Sequence, residues 1–247
     1  EGILAIDSIG SGGGFRRYIA GSADLVTASR AMKPEEAEEA KAAGRQPVSF
    51  QIGTDAVTVA VHPANSWVSA VTMDELATIF TAQNWSDVNP LWPDRPVGKF
   101  VPGTDSGTFD YFIDRVFDGA AAELLESPNL QLSEDDNVLV RGVQDGLYSI
   151  GFFGYSYYRQ SRDSLQALKL DGFGPETASC GEYPLSRRLY IYANRQSLQN
   201  NTSLAAWVLF LLDHSDEAMT ATGYFPAPAD ETERSKRLVL DIIGGSP

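Results

Sequence analysis

Cysteine is almost missing from this chain. Cys180 is the only one among 247 residues, so no disulfide can form within the chain. That fits the cytoplasm, and it fits equally an exported bacterial protein built without disulfides. Histidine is nearly as scarce. His62 and His214, with one thiol, are too few for a convincing zinc site, and neither sits where a catalytic base would be expected. His62 precedes Pro63 at a strand end and His214 follows a helix. Positive charge is short as well: 19 Lys and Arg stand against 33 Asp and Glu, a net charge of −14. Nucleic acid, which demands a basic face, is excluded as a partner, and so is an anionic membrane surface. No run of 18 apolar residues exists to span a bilayer. The richest stretch, LAAWVLFLL from Leu204 to Leu212, reads as a buried helix. Glu1-Gly2-Ile3 is not a signal peptide. GxGxxG, GxxxxGK[ST] and GxSxG are all lacking, so no nucleotide cofactor or serine-hydrolase elbow is implied. The expected cofactor list is empty.

What is present is an ample core. Apolar residues make up 43% of the chain and aromatics 11%, which rules out disorder. The length suits one large domain or two small ones. Ile3 to Ile9 (ILAIDSI) reads as a strand running into the glycine-rich turn Gly10-Ser11-Gly12-Gly13-Gly14, with a helix opening over Phe15 to Ile19. ADLVTAS (23–29) is a second strand. KPEEAEEAKAAG (33–44) is a helix with Pro34 in its first turn and Gly44 as its stop. AVTVAVHP (56–63) is a third strand. TMDELATIF (72–80) is a helix whose Thr72 and Glu75 form a capping box. Residues 84–97, marked by Trp85, Pro90, Trp92 and Pro93, read as a long loop. GKFVPG is a strand, TFDYFIDRVF (108–117) an amphipathic helix, and DDNVLVRGVQD (135–145) an Asp-capped helix. YSIGFFGYSYY (148–158) is aromatic and strand-like. RRLYIYAN (187–194) is a strand, and the remainder is mainly helical. Strands alternating with helices imply an α/β architecture with mixed, mostly parallel sheets.

Two segments share one local grammar of strand, Gly/Ser turn and helix start. They are IGSGGGF (9–15) and PGTDSGTF (102–109). The first N–H groups of each helix lack intrahelical partners, and glycines let backbone approach a ligand. Hydroxyls of Ser11, Ser106 and Thr108 can donate to anion oxygens beside Gly12, Gly13 and Gly107. Capping of its own helix by Ser106 or Asp105 is the commoner use of such residues, yet two such loops point toward an anion site. Arg30, after Ser29 at a strand end, can engage an oxyanion with two parallel hydrogen bonds. Asp105 and, less strongly, Asp55 are acidic candidates. An ionised carboxylate only accepts hydrogen bonds, so in an anion site it selects a protonated phosphate over sulfate. A net negative chain does not forbid this, because net charge governs long-range steering rather than a desolvated pocket. Phe152, Phe153, Tyr155, Tyr157 and Tyr158 read as core rather than as a base-stacking platform.

IGSGGGFRRYIAGSADLVTASRAM, VTMDELATIF, NWSDVNPLWPDRP, PGTDSGTFDYF, SEDDNVLVRGV, SIGFFGYSYY and YPLSRRLYIY follow one another along the chain. In that order they resemble the phosphate-binding components of bacterial phosphate ABC transporters, over roughly residues 6 to 240. The resemblance implies a periplasmic-binding-protein fold: two α/β lobes joined by crossovers and closing on one phosphate. One lobe is then 1–60 plus about 190–247, the other about 63–185, with crossovers near 59–63 and 184–190. It implies inorganic phosphate and a membrane ABC permease as partners, a monomer, no catalysis, and a periplasmic or extracellular location, with a lipid anchor on a segment outside this sequence left open. By position, the phosphate ligands are Ser11, Gly12, Ser29, Arg30, Asp105, Ser106, Gly107 and Thr108, with Gly13 and Asp55 as secondary candidates. The best-known branch has aspartate where Arg30 stands and arginine where Pro102 stands. A charge exchange follows, with Arg30 as the cation and Asp105 as the proton acceptor. The family's leading strand and Ser/Thr-bearing loop, ahead of Ile3, have no counterpart here, and a leading segment is expected to supply them. Rival readings are a receptor for another oxyanion, a phosphate-sensing module, and a phosphoesterase using Ser106 or Ser11. The last lacks metal ligands and a placed base.

Overall fold

The computed structural model describes residues 10–245, so the expected strand from Ile3 to Ile9 lies outside the described residues. The chain forms two compact units. One runs up to Asp55 and resumes at Arg187; the other is Ala56–Ser186.

The first unit opens with helix α1 (Gly10–Ile19), strand β1 (Leu25–Ala28), helix α2 (Pro34–Ala42) and the first part of strand β2 (Pro47–Val61). The stretch from Ser11 to Gly14, expected as a turn, is instead the first turn of α1. Glycine opposes helix by about 1 kcal/mol per residue, but packing outweighs that here. A Cβ on Gly14 would lie 2.7 Å from Val26 Cγ1, so only glycine lets α1 settle on β1. Phe15, Tyr18, Val26, Ala28, Ala40 and Tyr192 form the buried cluster beneath. Helix α2 starts at Pro34 and stops as the sequence implies, with Gly44 left-handed at φ 73°.

The second unit carries strand β3 (Ala70–Val71), helices α3 (Met73–Thr81) and α4 (Trp85–Val88), strand β4 (Gly98–Pro102), and helices α5 (Gly107–Val116) and α6 (Ala121–Leu125). Strand β5 (Leu130–Ser133), helix α7 (Asp136–Asp145), strand β6 (Ser149–Gly154), helix α8 (Tyr155–Ser161) and strands β7 (Gln166–Ala167) and β8 (Lys169–Leu170) follow. A 3-10 turn spans Pro175–Cys180. Two expectations fail here. The loop at 84–97 contains α4, because Asn84 N donates to Asp87 at 2.7 Å and fully buried Trp85 anchors the turn edge-on to Trp67 and Trp92. The aromatic run splits at Gly154. Phe152 and Phe153 are buried strand residues, whereas Tyr155 to Tyr158 are helical and half-buried, with Tyr157 and Tyr158 packed against Leu139, Val140 and Val143. Phe112 stacks on Phe152 at 3.7 Å, and Phe80 meets both rings edge-on.

The chain re-enters the first unit along strand β9 (Ser186–Asn194). Helices α9 (Arg195–Asn200), α10 (Thr202–Asp213) and α11 (Ser215–Thr222), strand β10 (Phe225–Pro226) and helix α12 (Ala229–Ile243) complete it. Ala205, Val208 and Leu212 of α10 join Phe50, Ile191, Val239 and Ile242 in a second core. The run LAAWVLFLL, expected as a buried helix, buries one face only, and Trp207 and Phe210 stack on each other on the exposed face. In this unit β1 pairs β9, and β10 pairs β2, both antiparallel. In the second unit β6 pairs β2 antiparallel, while β4 lies parallel between β5 and β6. The sheets are therefore mixed with a smaller parallel share than the sequence pattern implies. Strands β2 and β9 carry the chain from unit to unit instead of closing strand–helix–strand crossovers.

Candidate anion-binding residues

In the first unit the structure gathers Ser11, Gly12, Ser29 and Arg30. Ser11 Oγ accepts from Ser29 N at 3.0 Å and lies 3.3 Å from Ser29 Oγ. One O–H is spent between the two hydroxyls, and the other stays free to donate, so the pair presents one donor from a fixed position. Arg30 is gripped from several sides. Its Nη1 donates to Glu36 Oε2 and its Nη2 to Glu36 Oε1, both at 2.8 Å, and Nη1 also donates to Ala31 O at 3.0 Å. Its Cζ lies over the Phe15 ring at 5.0 Å. Glu36 sits in the first turn of α2 and also accepts from Lys33 N at 2.8 Å. The hydrogen bond from Arg30 holds the Glu36 carboxyl below its ordinary value, and the same bond raises the guanidinium's. Arg30 therefore brings its counterion with it. The sequence reading did not single out Glu36; its only signal was an acid six residues after Arg30, at the third position of a helix. Gly13 is half-buried on α1.

Asp55 ends the first unit's share of β2. Arg187 holds it, with Nη2 at 2.8 Å and Nε at 2.9 Å from Oδ2, and the carboxylate is nearly buried. The pairing gives Asp55 a structural partner.

In the second unit β4 feeds directly into α5, and the turn between them carries Asp105 and Ser106. Ser106 is the N-cap, accepting from Thr108 N at 3.2 Å, while Ser106 N donates to Gly103 O at 3.0 Å. The capping use is thus real, and the Ser106 O–H stays available to donate. Asp105 and Gly107 are exposed and Thr108 half-buried. A second carboxylate reaches this turn. A Cβ on Gly103 would collide with Glu134 Oε1, so Glu134 lies against the Gly103 backbone, a contact between β4 and the end of β5 that no local pattern announced.

His62 Nδ1 accepts from Ala64 N at 3.0 Å, and His214 Nδ1 meets Phe210 O at 2.8 Å. No cluster of three or more metal-ligating side chains occurs among the described residues. No described helix is long and apolar enough to cross a membrane.

Candidate donors stand in each unit, Ser11 and Ser29 in the first and the opening turn of α5 in the second. The chain belongs to the PBP superfamily, whose domain model matches residues 4–217. Within it, the chain is 37% identical over 240 residues to the protein SphX of Synechocystis, covering 92% of this chain and 70% of that one. It is 35% identical over 245 residues to the phosphate-binding protein PstS of Staphylococcus saprophyticus, covering 95% and 75%. Among solved structures, a possible phosphate binding protein from Planctomyces limnophilus aligns with a TM-score of 0.82 at 34% identity, over 94% of this chain and 85% of that one. A putative phosphate ABC transporter substrate-binding protein from Clostridium perfringens, solved with bound phosphate, aligns at 0.60 and 26% identity, over 89% and 86%. The superfamily is one of solute-binding proteins rather than enzymes.

Proposed function

We propose that this protein captures inorganic phosphate outside the cytoplasmic membrane and delivers it to an ABC permease, acting as a monomer and without catalysis. The observation that carries the reading is the hydroxyl pair Ser11 and Ser29 beside Arg30, in a chain whose relatives are named phosphate-binding proteins. In the first unit Ser11, Gly12, Ser29 and Arg30 supply donors. In the second the Ser106-Gly107-Thr108 turn does the same. Asp105, exposed and without charge compensation of the kind Arg30 has, takes the role of acceptor for a phosphate proton. Sulfate carries no such proton at neutral pH and meets only repulsion there.

Isothermal titration of phosphate into the purified protein tests this, with sulfate, arsenate and molybdate as competitors. Phosphate and its close analogue arsenate should bind, sulfate should not compete, and Arg30→Ala should weaken phosphate strongly. Tight binding of sulfate or molybdate in preference would instead make the protein a receptor for another oxyanion.

A further inference from the structure

We infer that Arg16 is a second anion-contacting cation of the first unit, and that it, rather than Arg30, supplies the net positive charge met by a tetrahedral oxyanion. The inference rests on the phosphate reading and adds to it a residue that the reading does not include.

Three observations carry it. The first is position. Arg16 lies one helical turn beyond Gly12 on α1, and long side chains on a helix lean back toward its N-terminus. Its Nη1 comes within 3.8 Å of the point where a Cβ on Gly12 would sit, and Arg30 Nη2 comes within 3.7 Å of the same point. Glycine thus leaves a space that both guanidinium groups approach, at the residue that follows Ser11.

The second is the donor count. Arg30 Nη1 spends its donors on Glu36 and Ala31, and Nη2 spends one on Glu36. One Nη2 hydrogen and the Nε hydrogen are left. The Arg16 side chain makes no hydrogen bond or ion pair among the described residues, so its whole fork is available.

The third is charge. Arg30 and Glu36 cancel, so Arg30 offers shape and hydrogen bonds with little net charge. Two free guanidinium groups beside one glycine would repel each other. Glu36 removes that repulsion and leaves Arg16 as the uncompensated cation.

The test is phosphate titration of the wild type, Arg16→Gln, Arg16→Lys, Arg17→Gln and Gly12→Ala, each checked for an unchanged thermal midpoint. Arg16 is exposed, so its replacements should fold. Arg16→Gln should lower phosphate affinity about tenfold or more, the effect of one charge-assisted hydrogen bond. Arg17→Gln carries the same charge change and should cost less than about threefold. Arg16→Lys keeps the charge without the fork and should fall in between. Gly12→Ala should fill that space and weaken phosphate without any change of charge. Equal, small effects of Arg16→Gln and Arg17→Gln in a wild type that binds phosphate would overturn the role of Arg16 and leave the phosphate reading standing. A wild type that takes no phosphate would overturn both.

Discussion

Arg30 and Glu36 face each other through two parallel hydrogen bonds of 2.8 Å, and Glu36 uses the same carboxylate to hold the first turn of α2 through Lys33 N. One side chain therefore fixes the guanidinium and caps a helix. Arg30 holds the Glu36 carboxyl below its ordinary value. A carboxyl lowered by folding stabilises the folded state above its unfolded value, about 4.3, and that contribution fades as pH falls through the lower folded value. The stability gap between wild type and Glu36→Gln should then be widest near about pH 6 and close toward about pH 3. Urea midpoints at both pH values check this. A gap that stays constant would mean that the pair contributes nothing linked to ionisation.

Lys99 in the second unit should produce the opposite slope. The residue is fully buried, and Nζ donates to Ala82 O at 2.7 Å and Pro128 O at 2.8 Å. An ammonium has three donors, so one lacks a partner, and burial pushes the group down to about 8. The folded protein releases this proton before the unfolded chain does. Between about pH 8 and the ordinary lysine value the unfolded state binds more protons, so stability rises with pH. Above about pH 10 the tyrosines reverse the trend, because burial raises Tyr18 to about 12 and the unfolded chain ionises first. Lys99→Met removes the lysine's share. The wild type should gain about 1–2 kcal/mol relative to Lys99→Met between about pH 7.5 and pH 9.5. Parallel pH profiles would show that the ammonium is not strained.

Asp55 and Arg187 are the residues of the first unit at which β2 leaves and β9 returns. Their ion pair is largely buried, with side-chain exposures of 7% and 17%. Breaking such a pair from one side strands a charge and costs about 3 kcal/mol or more. Arg187→Met should lower stability by that amount, and adding Asp55→Asn should recover part of the loss. A double variant no more stable than Arg187→Met alone would show that packing of the arginine stem, rather than the charge, was the loss.

Two N-caps separate stability from binding. Thr72 accepts from Glu75 N at 3.1 Å, and Ser106 accepts from Thr108 N at 3.2 Å. Each replacement by alanine should cost about 1 kcal/mol of stability. On the proposed function only Ser106→Ala should also weaken phosphate. Equal binding by both variants would reduce Ser106 to its capping role.

How legible these features were depends on how far apart in the chain their causes lie. Thr72 with Glu75, Pro34 with Gly44, and Asp135 ahead of α7 are signals within a few residues, and each marked a helix that formed. Ser29 and Arg30 after β1, and Ser106 before α5, drew attention as candidates for the same reason, since each sits where a described strand ends. The misreadings lie where a distant contact decides. Gly14 is helical because Val26 needs the space, and Trp85 turns helical inside an expected loop because Trp67 and Trp92 pack on it. Glu36 and Arg16 escaped notice because a pair and a free cation look alike in one dimension.

Gly142 offers a test in which local and tertiary rules disagree. It lies in the middle of α7, where alanine is the better helix former by about 1 kcal/mol. A Cβ there would meet the Phe100 ring, since the ring of β4 lies directly on the helix backbone. Phe100 is half-buried and packs against the cluster that holds Ala60, Val143 and Phe153, so moving it disturbs that cluster. Overpacking of this kind costs about 1–3 kcal/mol. Gly142→Ala should therefore destabilise the second unit despite its helix propensity, and Phe100→Leu in the same chain should relieve part of the loss. A more stable Gly142→Ala would mean that α7 and β4 can separate freely, and that helix propensity outweighs their contact.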